Sequence, residues 1–336
     1  MTAVTNAALK IISKPRVCFH RPLTRAGGVS YGYSHLVDHV TDAIVHDKNA
    51  HVALHCQPVE NFRAIPGKLN VLLTMWESRD IPLGDIAHIR QADALIVPST
   101  FCLNVFKRVA DCPIYLLPLG VDTEMFPYRR RTKPQSTKED PFVWLWCASV
   151  DPRKGWGLVA RAWQLALAGE PGVLLYMKTS GMDRPKYERA GNVIIDQRNL
   201  PSEKLAAIFN GAHGFLYPSM GEGFGLTCAE AMSSGCPVVG IEWSGQADFL
   251  KSETGWPMRH ELQRAKALAT RESDAEDGMF EIAVPDPVDM VRQMYAVMRD
   301  YGRAREKADR AARLIRTRYT WSRFAAGLGD LLRKLG

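Results

Sequence analysis

Short apolar runs alternate with helical patterns along this chain, and they do so twice, with a polar stretch between the two sets. In the first half, PRVCFH (15–20), HVALHC (51–56), LNVLLTMW (69–76), ADALIVP (92–98) and PIYLLPL (113–119) each have the length of one strand. A helical pattern at 31–46 places Leu36, Val40 and Ile44 on one face. In the second half, FVWLWCASV (142–150), GVLLYMKTS (172–180), NVIIDQ (192–197), HGFLYPS (213–219) and PVVGI (237–241) read as strands. Helical patterns lie at 156–168 and 203–210, and the chain from 287 onward is helical and strongly charged. Strands covered on both faces by helices need continuous apolar runs, and strand–helix alternation closes into a parallel sheet. The expected fold class is therefore α/β, with two Rossmann-like, doubly wound units.

The polar stretch YRRRTKPQSTKED (128–140) has no periodicity and reads as a linker. A chain of 336 residues suits two domains of about 150 residues each. The expected division is an N-terminal domain at 1–128, a linker at 129–140, a C-terminal domain at 141–316 and a final helix at 317–336. Residues 259–280, RHELQRAKALATRESDAEDGMF, read as a helix followed by an acidic loop and carry no functional signal.

Composition narrows the function. Hydrophobic content of 46% and charged content of 24% are those of a soluble globular protein. No apolar run approaches the roughly 18 residues that span a bilayer, and the N-terminus lacks the pattern of a signal peptide. The seven cysteines form no C-x-x-C pair and are odd in number, which suits reduced thiols in a cytoplasmic protein. The net charge of +7 suits anionic partners: phosphates, lipid headgroups at a peripheral membrane contact, or nucleic acid. The same charges, concentrated in Arg129, Arg130, Arg131, Lys133 and the C-terminal helices, also read as solvated faces.

The most informative segment is GEGFGLTCAEAMSSGCPVVG (221–240), with Glu222 and Glu230 on either side of a Gly-Phe-Gly turn. On one continuous helix these glutamates would lie about 12 Å apart along the axis and about 80° apart around it. A helix opening at Gly225 resolves this, with Glu222 in the preceding loop and Glu230 one to two turns inside. Gly235 and Pro237 then end the helix. Free N–H groups at Gly225, Leu226 and Thr227 make an anion site. A phosphate between two carboxylates that accept hydrogen bonds from hydroxyls describes a nucleotide sugar. The plainer alternative is a helix cap and a surface ion pair.

The run PSMGEGFGLTCAEAMSSGCPVV (218–239) resembles the signature of retaining glycosyltransferase family 4, which has the GT-B fold. PLGVDTEMF (118–126), VDPRKGW (150–156), NLPSEKLAAIFNGAHGFLYPS (199–219) and TWSRFA (320–325) are similar to further segments of that family, so the resemblance covers most of the chain. It implies two Rossmann-like domains facing across a cleft, with the donor on the C-terminal domain, the acceptor on the N-terminal domain and the final helix crossing back. It implies that Glu230 binds the ribose, that Glu222 contacts the donor sugar, and that amides around Phe224, Gly225 and Leu226 meet phosphate or sugar. Lys154 matches the family's phosphate-binding lysine. The family's arginine five positions earlier is Ser149 here, which leaves Arg153 either as its replacement or as a solvent-facing charge. The implied chemistry is same-face transfer with retention, aided by the leaving phosphate, with no covalent nucleophile. With no D-x-D stretch, no metal or other cofactor is expected.

On the acceptor side, AGGVSYGYSHL (26–36) is similar to the family's glycine loop, and Gly27 and Gly28 would admit the donor. His20, His55 and Glu77 lie at predicted strand ends and are cleft candidates; TMWES (74–78) resembles an acidic segment of some members. His35 and His39 have metal-like spacing but no third ligand, so they are not taken as a site. The nucleotide, the sugar and the acceptor are open. An epimerase of the same fold, a silent nucleotide-sugar binding protein and a transferase acting on nucleic acid stand as alternatives.

Overall fold

The structure, a computed structural model, describes residues 14–20, 31–179, 186–265 and 280–336. The N-terminal sheet contains β1 (Arg16–His20), β2 (Val45–His46), β3 (Val52–Cys56), β4 (Leu69–Leu73), β5 (Ala94–Val97) and β6 (Ile114–Leu116). Its spatial order is β2-β1-β3-β4-β5-β6 and every pairing is parallel. Helices α1 (Tyr31–Ala43), α2 (Leu83–Ile89) and α3 (Thr100–Phe106) connect its strands. β3 is buried at all five positions, as its uninterrupted apolar run requires.

The C-terminal sheet contains β7 (Phe142–Cys147), β8 (Val173–Lys178), β9 (Tyr187–Ala190), β10 (Val193–Asp196), β11 (Gly214–Tyr217), β12 (Val238–Gly240) and β13 (Trp256–Pro257). Its order is β13-β12-β11-β7-β8-β10-β9, with only the edge strand β9 antiparallel. The helices are α4 (Trp156–Ala166), α5 (Ser202–Gly211), α6 (Leu226–Ser233), α7 (Pro287–Arg299), α8 (Tyr301–Arg318) and α9 (Trp321–Leu335). Because β8 and β11 flank β7 on opposite sides, the winding reverses at the carboxyl end of β7. Ligand crevices open at such points in open α/β sheets.

Two sequence-based expectations change. The first helix ends at Ala43, not at residue 46, because Val45 N–H bonds to the Pro15 carbonyl and Asp47 N–H to the Val17 carbonyl. The unpaired edge of β1 thus captures residues 45–46 as a strand. Residues 260–265 are not helical either: β14 (His260–Ala265) pairs antiparallel with β15 (Phe280–Pro285) through six residue pairs. The strand that satisfies its backbone lies some twenty residues away, which a local helical pattern cannot register. The acidic part of that segment lies outside the described residues.

The polar stretch after Tyr128 is fastened to the C-terminal domain. Arg131 is buried, and its guanidinium donates to the carbonyls of Ala212 (2.8 Å), Phe209 (2.7 Å), Arg129 (2.9 Å) and Ser234, and to Ser234 Oγ (3.1 Å). It therefore satisfies orphan carbonyls at the C-terminal ends of α5 and α6. This part of the charge excess is structural, not a surface for anionic partners.

The last helix joins the two halves. Val121 N–H bonds to the Tyr319 carbonyl (2.9 Å), α9 packs on α1, and the His39 ring stacks on Trp321 at 4.1 Å. One apolar core runs from Leu54 and Val71 in the first sheet through Phe126 and Phe324 to Phe215 in the second sheet and Ala229 in α6.

Candidate active site

The loop after β11 carries Glu222, and the loop after β7 carries Lys154, so the winding reversal places them side by side. Lys154 Nζ donates to Glu222 Oε1 at 2.6 Å. Ser219 Oγ donates to the same oxygen at 2.5 Å, and Arg153 Nη1 lies 3.7 Å from it. Burial would raise the Glu222 pKa, but the charges of Lys154 and Arg153 and the Ser219 hydrogen bond hold it down at about 2. Glu222 is therefore ionised at neutral pH and acts as a hydrogen-bond acceptor, not as an acid.

The backbone around Glu222 is clamped. Its N–H donates to Ser244 Oγ (3.0 Å), and its carbonyl accepts from Gly245 N–H (2.9 Å). Ser244 adopts φ 59° and ψ −151°, a region that favours glycine, and its hydroxyl donates in turn to Gln246 Oε1 (3.0 Å). Tyr217 lies below the turn; burial raises its pKa, and the nearby Glu222 carboxylate raises it further. The Phe224 side chain is 2% exposed and packs on Phe249 (5.4 Å) and Tyr319 (5.9 Å). Its ring is an anchor, which leaves only its backbone for a ligand.

Gly225 has φ +98° and caps α6 with no side-chain hydrogen bond, so Leu226 opens the helix and Thr227 follows in its first turn. Glu230 is buried four residues after Leu226, one turn into α6. Its charge reaches Cys147 at the carboxyl end of β7: burial first, then Glu230, pushes the Cys147 thiol up to about 12. Glu230 thus lies near the carboxyl end of β7, the strand that the loop with Lys154 follows.

Arg153 is 10% exposed at its side chain and does not face solvent. It donates to the Gly221 carbonyl and lies near Asp151 (3.5 Å) and Glu77 (3.8 Å). Glu77, after β4, thereby meets the C-terminal domain. His20 and His55 are stacked at 4.9 Å, but His55 is 2% exposed and bonded through Nε2 to Asn70 Oδ1 (3.1 Å). Burial lowers its pKa to about 4, so it is neutral and enclosed. Gly27 and Gly28 lie outside the described residues.

Sequence reasoning missed Tyr217, Ser219, Ser244 and Lys178. The Lys178 ammonium is buried at the end of β8 and donates to the carbonyls of Thr179 (2.7 Å), Arg198 (2.8 Å) and Asp196 (3.4 Å). A lysine closing the apolar run VLLYMK was the available signal. Ser244 gave none, because its role depends on a partner 22 positions away. A surface recess of about 780 Å³ near Asp122 and Glu203 holds none of the predicted site residues. Among the described residues, no group of three or more His, Cys, Asp or Glu is gathered for a metal, and no helix is long and apolar enough to cross a membrane.

This two-sheet frame is the GT-B glycosyltransferase fold. The chain superposes on sucrose-phosphate synthase from Thermosynechococcus elongatus with a TM-score of 0.62 at 18% identity, covering 84% of this chain and 73% of the other. It superposes on Anabaena Alr3699/HepE in complex with UDP-glucose with a TM-score of 0.58 at 12% identity, covering 80% and 72%. For TarM the TM-score is 0.55 at 14% identity, covering 83% and 54%. No curated protein matches the sequence. The profile of the family described as "Family 4 Glycosyltransferase in conflict systems" matches residues 103–328, and the chain belongs to that family.

Proposed function

We propose that this protein transfers a sugar from a nucleoside-diphosphate sugar to an acceptor hydroxyl with retention at the anomeric carbon. The observation that carries the proposal is the Lys154–Glu222 pair at the winding reversal, beside the uncapped start of α6. Lys154 and the N–H groups of Gly225, Leu226 and Thr227 would meet the diphosphate, where negative charge grows as the glycosidic bond breaks. Glu222 would accept hydrogen bonds from donor-sugar hydroxyls, and Glu230 from the ribose. Gly27 and Gly28 would approach the donor from the N-terminal side. His20 and Glu77 are the acceptor-side candidates.

In the proposed step, the bond from the anomeric carbon to the phosphate oxygen breaks and a bond to the acceptor oxygen forms on the same face. The acceptor proton passes to the leaving phosphate. This needs no enzyme nucleophile, no metal and no other cofactor, and an ionised Glu222 suits a hydroxyl-binding role. The seven free thiols support a cytoplasmic location. HepE, whose structure holds UDP-glucose, makes uridine nucleotides the first donors to try.

Calorimetric titration with UDP, GDP, ADP, CDP and dTDP should find one nucleotide that binds. Glu230→Ala should weaken that nucleotide by about 1.5–3 kcal/mol through loss of charge-assisted hydrogen bonds. Equal affinity in the variant would remove the ribose role. Retention is checked by the anomeric configuration of the product. Conversion of the donor without an acceptor, giving an isomer, would indicate an epimerase instead.

A further inference from the structure

Arg153 and Lys154 are neighbours in sequence with different surroundings. Among the described residues, Lys154 has one carboxylate, Glu222, within salt-bridge distance. Arg153 has Glu77, Asp151 and Glu222 around it and donates to the Gly221 carbonyl. Burial lowers the Arg153 pKa, but Glu77, Glu222 and Asp151 more than restore it, so the net shift is upward. A phosphate arriving at Arg153 would meet the field of three carboxylates, not a free cation.

The same guanidinium spans the domain boundary. Glu77 belongs to the segment leaving β4, and that segment lies on the glutamate loop without space between them. A Cβ on Gly221 would sit 2.1 Å from the Glu77 carbonyl oxygen, and one on Gly223 would sit 2.6 Å from Met75. Cys102 Sγ, in α3, contacts the Gly223 carbonyl at 3.4 Å. The far end of the segment is held by β15: Glu281 N–H bonds to Asp80 Oδ2 (2.9 Å), and Arg79 pairs with Glu281 (2.7 Å). β15 also reaches the glutamate loop, through Ala283 N–H to the Met220 carbonyl (3.1 Å). Residues 74–80 of the N-terminal domain are thus gripped by two parts of the C-terminal domain.

We infer that Arg153 is a positioning residue that latches the Glu77 segment onto the loop carrying Glu222, and that it does not ligate the diphosphate. The inference rests on the donor site proposed above at Lys154. In this arrangement the family's missing arginine is not replaced. Two charged side chains instead hold the cleft closed beside the sugar-binding carboxylate.

The test measures amide hydrogen exchange and nucleotide titration on the full chain, with Arg153→Gln, Glu77→Gln, the double variant and Lys154→Gln. Glu77 is partly exposed, so Glu77→Gln keeps the test available if Arg153→Gln folds poorly. Expected is faster exchange across 74–80 and 219–223 in both single latch variants, with no further increase in the double variant. Nucleotide affinity in the latch variants should stay within about threefold of wild type, while Lys154→Gln weakens it about tenfold or more. Binding lost on Arg153→Gln as on Lys154→Gln, with exchange across 74–80 unchanged, would overturn the inference. If the unmodified protein binds none of the five nucleotides, the donor site falls, and additive or absent exchange effects would overturn the latch independently.

Discussion

The two sheets bury polar groups at their carboxyl ends in opposite ways. In the N-terminal sheet, His55 is enclosed by Asn70, Phe62 and His20 and sheds its proton, with a pKa near 4. In the C-terminal sheet, Glu222 keeps its charge, because Lys154 and Arg153 outweigh the cost of burial. A neutral buried group needs only one well-made hydrogen bond. A charged one needs counter-charges held in place, and of the two here only Lys154 is proposed to meet an anionic donor. The difference lies in what settles each group: His55 is satisfied by Asn70 on the neighbouring strand of its own sheet, whereas Glu222 is balanced by cations from another loop.

The largest way to break this contrast is Lys154→Ala. It should lower turnover roughly 100- to 1,000-fold, as removal of a transition-state donor does elsewhere. It should also cost about 2–4 kcal/mol of stability, since Arg153 still offsets part of the buried charge. Steady-state rates and urea melts check both. A change in KM with kcat intact would make Lys154 an anchor for the ground state only.

Acid separates the two groups. The depressed pKa of Glu222 contributes stability that is present above its unfolded value of 4.5 and lost as pH falls toward about 2. The shift corresponds to stability on the order of 3 kcal/mol. Glu222→Gln should remove that limb of a stability–pH curve. His55 gives an earlier limb of similar size. Its folded pKa of about 4 lies below the unfolded 6.5, so the unfolded chain binds more protons between them and stability falls from pH 6.5 downward. His55→Asn should flatten the curve between these values and leave the lower limb in place. A single limb unaffected by either substitution would dissolve the comparison.

The smallest effect concerns the clamp on Glu222. Ser244→Ala loses the hydroxyl that accepts from Glu222 N–H and keeps the positive φ, so it should cost about 1–3 kcal/mol. Ser244→Gly loses the same hydrogen bond but relieves backbone strain of about 1–3 kcal/mol, so it should be close to neutral. Equal destabilisation by the two would mean that strain is not stored there.

Much of this was legible in the chain itself. Apolar runs without alternation, separated by helical patterns, determined two parallel sheets, because only strands covered on both faces can be apolar throughout. The spacing of Glu222, Gly225 and Glu230 determined a helix that begins between the two glutamates, because glycine tolerates the positive φ of that cap. Tertiary structure decided what local pattern does not encode. It made Arg131 a cap for two helices, turned residues 260–265 into a strand, and gave adjacent Arg153 and Lys154 different partners. Each outcome depends on groups distant in sequence: Arg153 and Lys154 meet Glu222 from 69 and 68 positions away in the chain, and Arg153 meets Glu77 from the opposite domain. Charge and burial act through space, so a cation's role follows from what surrounds it once the chain has closed.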